Sequence, residues 1–206
     1  MKKIHLIPAA LAALAFGTAA PAHAIELTVL GGLNLHSSSV DPEAAGTETG
    51  GGTGAAFGAL IGWEFIPAFG LETGALFVKK DNNVKATGTD LETSHGAIEV
   101  PLMLRFTALP ILSVGGGLVY TRNSRTTSRE GTLLSASVND EIEAAALKRN
   151  EWGARLNARI GMPLVPLVSA VLDLNYVLGL SDIDLDPNAS SKTREFQVLV
   201  GASIGF

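Results

Sequence analysis

The last thirteen residues, Arg194 to Phe206, read R-E-F-Q-V-L-V-G-A-S-I-G-F. From Phe196 onward they alternate without a break. Phe196, Val198, Val200, Ala202, Ile204 and Phe206 share one parity, and Gln197, Leu199, Gly201, Ser203 and Gly205 share the other. Successive side chains on a strand point to opposite faces, so this is one strand with an apolar face and a small or polar face. It is long enough to cross a bilayer when tilted.

Seven further segments alternate in the same way, at about residues 26–36, 54–66, 70–80, 95–107, 111–122, 150–162 and 167–180. Their connections alternate in length. Three are short and carry proline: Ile66-Pro67-Ala68-Phe69, Thr107-Ala108-Leu109-Pro110 and Pro163-Leu164-Val165-Pro166. Four are long and polar, at about residues 37–53, 81–94, 123–149 and 181–193. Short turns at one rim and long loops at the other predict an all-β, eight-stranded antiparallel up-and-down transmembrane β-barrel. With an even strand number, both termini fall on the side of the short turns, the periplasmic side, and the long loops face outward from the cell. Only a closed barrel or a helix satisfies every backbone hydrogen bond in lipid.

The N-terminus reads as a secretory signal peptide. Met1-Lys2-Lys3 is followed by an apolar run from Ile4 to Phe16 and then by small residues ending Ala22-His23-Ala24. Residues 1–24 are therefore expected to be cleaved, with 25–206 forming the barrel domain. Without Lys2 and Lys3, 13 of the 15 basic residues remain against 20 acidic ones, a net charge near −7. That balance argues against a nucleic-acid partner. The absence of cysteine excludes a disulfide framework and thiolate chemistry.

Two aromatic residues fall outside the pattern, Phe16 in the leader and Phe69 in a turn. The other ten all share the apolar parity. Trp63, Phe65, Phe106 and Phe206 gather at the short-turn rim. Phe57, Phe77, Tyr120, Trp152, Tyr176 and Phe196 lie nearer the long-loop rim. Two outward bands of this kind are expected where a barrel meets the two membrane interfaces.

The opposite parity carries glycines, small polar residues and charges of both signs: Glu64, Glu72, Glu99 and Asp173 against Arg105, Arg155 and Arg159. The bore of an eight-stranded barrel is roughly filled by its own side chains, so charges inside it must be paired or hydrated. The expectation is an interior network of arginine–carboxylate pairs that plugs the barrel. A gated narrow pore is the weaker alternative.

Other candidate chemistry is thin. His36 and His95 fall on the first and fourth strands, which a simple meander does not place side by side, and no third ligand completes a zinc site. No metal or cofactor is expected. Ser94 and His95 are adjacent and face opposite ways, which makes a poor catalytic dyad. The run Asp182-Ile183-Asp184-Leu185-Asp186-Pro187-Asn188 lacks the glycine and glutamate of a calcium loop. Residues 46–54, rich in Gly and Thr, read as a flexible surface loop, and 138–149 as a short helix, acidic first and basic last.

The leader, the segments Glu99-Val100-Pro101-Leu102-Met103-Leu104-Arg105-Phe106 and Asp173-Leu174-Asn175-Tyr176-Val177-Leu178-Gly179-Leu180, and the terminal Phe206 together resemble bacterial outer-membrane β-barrels of the porin-family or OmpA/OmpX-like kind. The resemblance covers the mature chain and is specific for architecture more than for activity. It implies an outer-membrane location and contact with outer-membrane lipids. It also implies recognition of the C-terminal strand, with Phe206 as its signal, by the barrel-assembly machinery. The expected role is a non-enzymatic envelope protein, structural or presenting its loops to an extracellular partner. A narrow channel for ions or small solutes is the alternative. A lipid-modifying barrel enzyme and a soluble secreted barrel rank lower.

Overall fold

A computed structural model describes the backbone of residues 25–41, 48–86, 89–133, 136–143, 149–181 and 190–206, and the side chains of 25–37, 51–81, 93–124, 149–181 and 193–206. The leader and the acidic run 182–188 lie outside the described residues. Nine strands form one antiparallel sheet: β1 Ile25–Asp41, β2 Glu48–Ile66, β3 Phe69–Ala86, β4 Thr89–Leu109, β5 Leu112–Leu133, β6 Ala136–Glu143, β7 Asn150–Val165, β8 Val168–Gly179 and β9 Ser190–Gly205. Eight of them close a barrel in the order β4-β3-β2-β1-β9-β8-β7-β5, with β5 returning to β4. The terminal strand β9 pairs with β1 along its whole length, and the Phe206 amide donates to the Ile25 carbonyl at 2.8 Å.

Cα partners can be followed once round the wall from Glu26 through Gly62, Glu72, Met103, Gly117, Arg155, Val177 and Glu195. The path returns to β1 at His36, ten residues beyond Glu26. A stagger of ten over eight strands tilts them by about 40°. Because ten is even, a residue that faces inward at Glu26 still faces inward on return at His36. Side chains therefore keep one sense of in and out around the whole barrel.

The outward face is an apolar belt. Val29, Leu33, Phe57, Leu102, Leu104, Leu118, Leu156 and Val200 are each more than half exposed. No single patch of that extent suits water, and lipid is its natural solvent. On the long-hairpin side the belt ends at Leu35, Ala55, Phe77, Ile98, Tyr120, Trp152 and Phe196. Beyond these points outward positions turn polar or charged, as at Ser37, Thr53, Lys79, Arg122, Asn150 and Arg194. Lys80, His95 and Glu151 thus lie just outside the membrane-spanning segments.

Several local expectations are corrected. Phe69 is not a turn residue but opens β3. It is exposed, with its ring centroid 5.0 Å from that of Phe106, so it extends the lower aromatic band. The turns themselves contract to Pro67-Ala68, Pro110-Ile111 and Pro166-Leu167. The expected helix is a strand over Ala136–Glu143, laddered to β5 from Leu133↔Ala136 to Thr126↔Glu143. Its β-branched Val138 and Ile142 suit a ladder that β5 offers within a hairpin's reach, and this outweighs the helix-like charge order. The Gly/Thr-rich stretch is strand from Glu48 onward. Its glycines serve close approach: a methyl at Gly54 would strike the Lys79 carbonyl, and one at Gly52 would strike Asp81.

The inward parity is not uniformly polar. Leu30, Ala56, Leu60, Leu76, Val78, Val171 and Leu199 are buried together inside the barrel. Most come from β1, β2, β3 and β9, strands that also turn Glu26, Glu72, Lys80 and Glu195 inward, so apolar side chains and charges interleave in the lumen.

Candidate functional site: the lumenal charge column

The charged side chains that the sequence assigns to the interior form tiers along the lumen. At the short-turn end, Arg105 ion-pairs with Glu72 and donates to Glu26 Oε2 at 2.9 Å. Glu64 lies beside them, half-buried, lining a shallow pocket with Glu26, Gly62, Gly70 and Arg105. Glu72 also accepts from Arg159 Nη1 at 2.8 Å, and Arg159 Nε donates to Asp173 Oδ2 at 2.5 Å. One carboxylate thus holds two guanidinium groups, and the second of these holds another carboxylate. The topology makes this possible: Arg159 and Asp173 are Cα partners on β7 and β8, while Glu72 reaches them across the lumen from β3.

The middle tier is a hydrogen-bonded relay. Asn157 Nδ2 donates to Asp173 Oδ1 at 2.6 Å and to Asn175 Oδ1 at 2.7 Å. Arg155 is fully buried and divides its donors three ways. Nε goes to Asn175 Oδ1 at 3.1 Å, Nη2 to Gln197 Oε1 at 3.1 Å and Nη1 to Glu99 Oε2 at 3.3 Å. Gln197 Nε2 closes the triangle onto Glu99 at 3.0 Å. A buried charge needs this density of partners, because each unmet donor or acceptor costs its full desolvation.

A third tier, at the long-hairpin mouth, was missed by the sequence reading. Lys80 Nζ sits 2.6 Å from Glu195 Oε1 and 3.6 Å from Glu151 Oε2. Thr193 donates to Glu151, and His36 Nδ1 lies 3.8 Å from Glu195. Burial alone would lower the Lys80 pKa. Glu195 and then Glu151 outweigh it, and the ammonium is held above its ordinary value. Parity was the available signal: Lys80 continues the face of Glu72, Glu151 that of Arg155, and Glu195 that of Gln197. Segments 70–80 and 150–162 already contain Lys80 and Glu151, yet the charges expected inside ended at Glu72 and Arg155, and Glu195 precedes the alternation that starts at Phe196.

His36 and His95 do meet, contrary to the expectation from strand order. Their ring centroids are 6.5 Å apart and nearly perpendicular, across the lumen rather than along the wall. Burial, then the positive Lys80, push His95 down to about 4. Ser94, on the other parity, is half-buried while His95 is buried. Among the described residues no cluster of three or more His, Asp or Glu side chains can hold a metal ion.

The aromatic residues assigned to the interfaces face outward from the wall. At the long-hairpin side Phe57 stacks on Phe77 with centroids 5.4 Å apart, Tyr120 packs on Trp152 at 5.1 Å, and Tyr176 is the Cα partner of Phe196. At the other rim Trp63 meets Phe65 at 6.3 Å, Phe106 meets Phe69, and Phe206 is exposed.

Comparison with known proteins agrees with this architecture. The family described as outer membrane protein beta-barrel domain matches residues 9–203. No curated protein matches the chain. Among solved structures, the outer membrane protein OprG from Pseudomonas aeruginosa is similar at 15% identity and a TM-score of 0.58, over 89% of this chain and 97% of that one. A major outer membrane protein from Thermus thermophilus is similar at 16% identity and a TM-score of 0.53, over 89% of this chain and 100% of that one. At such identities the likeness is one of fold.

Proposed function

Because this chain belongs to the outer membrane protein β-barrel family, we propose that it is a non-enzymatic envelope protein whose barrel is a closed anchor for the long hairpins. The observation that carries this reading is the lumen itself. Arg155, Glu99, Asp173 and Gln197 are wholly buried at its middle, cross-linked by hydrogen bonds, and Leu60, Leu76 and Leu199 are buried in the same lumen. That combination leaves a hydrated ion no continuous path. In this reading the leader is removed at Ala24 and the short turns face the periplasm. The assembly machinery engages the C-terminal strand through Phe206, the aromatic bands sit at the two interfaces, and an extracellular partner meets the hairpins.

The test is conductance in a planar bilayer. The native protein is expected to give no discrete steps, and Arg155→Ala with Arg159→Ala to open measurable ones. Native steps of stable amplitude would sink the closed anchor. They would favour the second reading, a narrow channel, for which one observation speaks. Glu26, Glu72, Glu99, Glu151, Asp173 and Glu195 outnumber Lys80, Arg105, Arg155 and Arg159 in the ion pairs of the lumen, so any such current would select cations.

A further inference from the structure

Two rungs of the sheet face each other across the long-hairpin mouth. Lys80 and His95 are Cα partners on β3 and β4, and His36 and Glu195 are Cα partners on β1 and β9. Lys80 meets Glu195 at 2.6 Å, and the His95 ring stands edge-on to the His36 ring with centroids 6.5 Å apart. All four side chains are buried. One ion pair and one ring contact thus bridge the bore at a single height.

Above this height the wall divides. The β1–β2 ladder ends at His36↔Gly52. β1 runs on with β9 as far as Asp41↔Ser190, whereas β2 runs on with β3 as far as Glu48↔Lys85. β7 begins only at Asn150 and β8 ends at Gly179, so the wall on the other side of the β9–β1 ribbon is low. The β3–β4 ladder is unbroken from Leu76↔Glu99 to Ala86↔Thr89. Both ladders that flank it slip at the height of Lys80 and His95, between Gly51 and Ala56 towards β2 and between His95 and Ala97 towards β5. A methyl group at Gly96 would meet nothing within 4 Å. The β3–β4 ribbon is therefore stiff along its length and loosely seamed at both sides where it carries its half of the bridge.

The charges decide which way the bridge responds to acid. Facing the two imidazoles are Lys80 on β3, Glu195 on β9 and Glu151 on β7. Asp81 is drawn to Lys79, Arg149 stands exposed at the rim, and Glu99 lies below on β4. At this height β2, β5 and β8 bring Gly52, Thr121, Asn123 and Gly179, none of them titratable. Burial first and then Lys80 push His95 down to about 4, so the closed mouth keeps it neutral. A proton on His95 would put two positive charges on one rung, and like charges directly opposite destabilise a ladder. Glu195 is held below the ordinary carboxylate range because Lys80 outweighs its burial, so it stays ionised at mild acidity. His36 Nδ1, Glu151 Oε2 and Glu195 Oε2 are buried without a hydrogen-bond partner among the described residues, and opening would hydrate them.

We propose that the Lys80–His95 and His36–Glu195 rungs form a proton-released latch: it holds the β3–β4 hairpin against the β9–β1 ribbon at neutral pH, and proton uptake at His95 lets the two separate. The latch rests on the reading that the barrel anchors these hairpins above a membrane. It lies above the tier of Arg155 and Glu99, so the hairpins part while the lumen below stays shut. What changes is the surface that the hairpins present.

The chain has no cysteine, so two spin labels can be placed at Asn83→Cys on β3 and Ser191→Cys on β9 in the full barrel in phosphatidylcholine vesicles. Pulsed electron-spin resonance then reads the distance between them. With His95 at about 4 when closed and 6.5 when freed, the ratio of long to short distances should rise about 30-fold from pH 7.5 to pH 5. His95→Gln should reduce the rise to under about 3-fold; should that variant not fold, His95→Asn carries the same expectation. An unchanged distance in the native chain, or an equal rise without His95, would overturn the latch. So would a rise accompanied by loss of the heat-shifted folded band, which would make it unfolding. Native conductance steps with the distance change intact would remove the closed anchor and leave the latch, and a fixed distance in a silent barrel would remove the latch alone.

Discussion

Lys80 and Glu195 stand 2.6 Å apart, Nζ to Oε1, with both side chains only about 1% exposed. They belong to β3 and β9, which are separated by β2 and β1 in the wall, so this contact spans the lumen and ties opposite sides of the barrel together. Lys80→Met removes the one lysine or arginine that ion-pairs with Glu195 and Glu151 among the described residues. It is expected to cost about 3–5 kcal/mol, the usual penalty for stranding a buried charge. Urea unfolding in vesicles, read by the gel shift between folded and boiled protein, measures it. Lys80→Met combined with Glu195→Gln should recover a good part of the loss. No recovery would mean that the two residues act independently. The lysine's part of this contribution is complete below pH 10.5 and fades as pH rises through its higher folded value; the glutamate's part is complete above pH 4.5 and fades as pH falls towards its lowered folded value.

The same lysine sets a pH dependence at His95, whose pKa is lowered from 6.5 to about 4 by burial first and then by Lys80 and His36. A lowered folded value means that the unfolded chain binds the proton first. Stability is therefore unaffected by His95 above pH 6.5, falls as pH drops from 6.5 towards 4, and levels off below that. His95→Gln should flatten this part of the urea-midpoint profile. A profile equally steep in the variant would assign the slope to other groups.

The strand pattern was legible because period two is imposed by the pleat and reinforced by lipid outside, which tolerates almost no outward charge across the belt. The same parity put Arg155, Arg159, Glu72 and Asp173 inside. What stayed hidden depends on the stagger. Parity says that Lys80 and Glu195 face inward, but only a displacement of ten residues round the wall brings them to one height, and no local window encodes that number. His36 and His95 looked remote for the same reason: their strands are not neighbours, yet a bore this narrow makes opposite walls adjacent. The apolar side chains of the lumen were obscured by glycine and polar residues interleaved with Leu30, Leu60 and Leu199. Phe69 and the strand Ala136–Glu143 were misplaced because proline turns and charge order are local signals, and pairing with β4 and β5 overrides them.

Closure should hinge on Gly201. A methyl group there would strike the Val29 carbonyl on β1, within the seam that joins the last strand to the first. Backbone cannot yield at that point without opening the ladder. Gly201→Val is expected to abolish the heat-shifted folded band. Gly31→Ala, at a glycine whose nearest contact would be 3.9 Å away, should leave the band intact. Equal folding of both variants would show that the seam tolerates more separation than the register implies.

A final prediction concerns the lipid-facing wall between β3 and β4. The ladder there steps from Thr73↔Leu102 directly to Leu76↔Glu99, and Pro101 stands in the interval with no N–H to offer. Its carbonyl is met instead by the Thr73 hydroxyl, which donates to it at 2.7 Å. In water such a carbonyl would find a solvent partner, but the hydrocarbon layer supplies none. The threonine therefore mends a gap that the proline opens. Thr73→Val keeps the shape and removes the donor, and should cost about 1 kcal/mol; Thr73→Ser should cost less because the donor remains. The comparison belongs in vesicles, where urea midpoints of the three proteins should rank native, serine, valine. If valine proves as stable as threonine, the Pro101 carbonyl must be satisfied by another donor and the hydroxyl is dispensable.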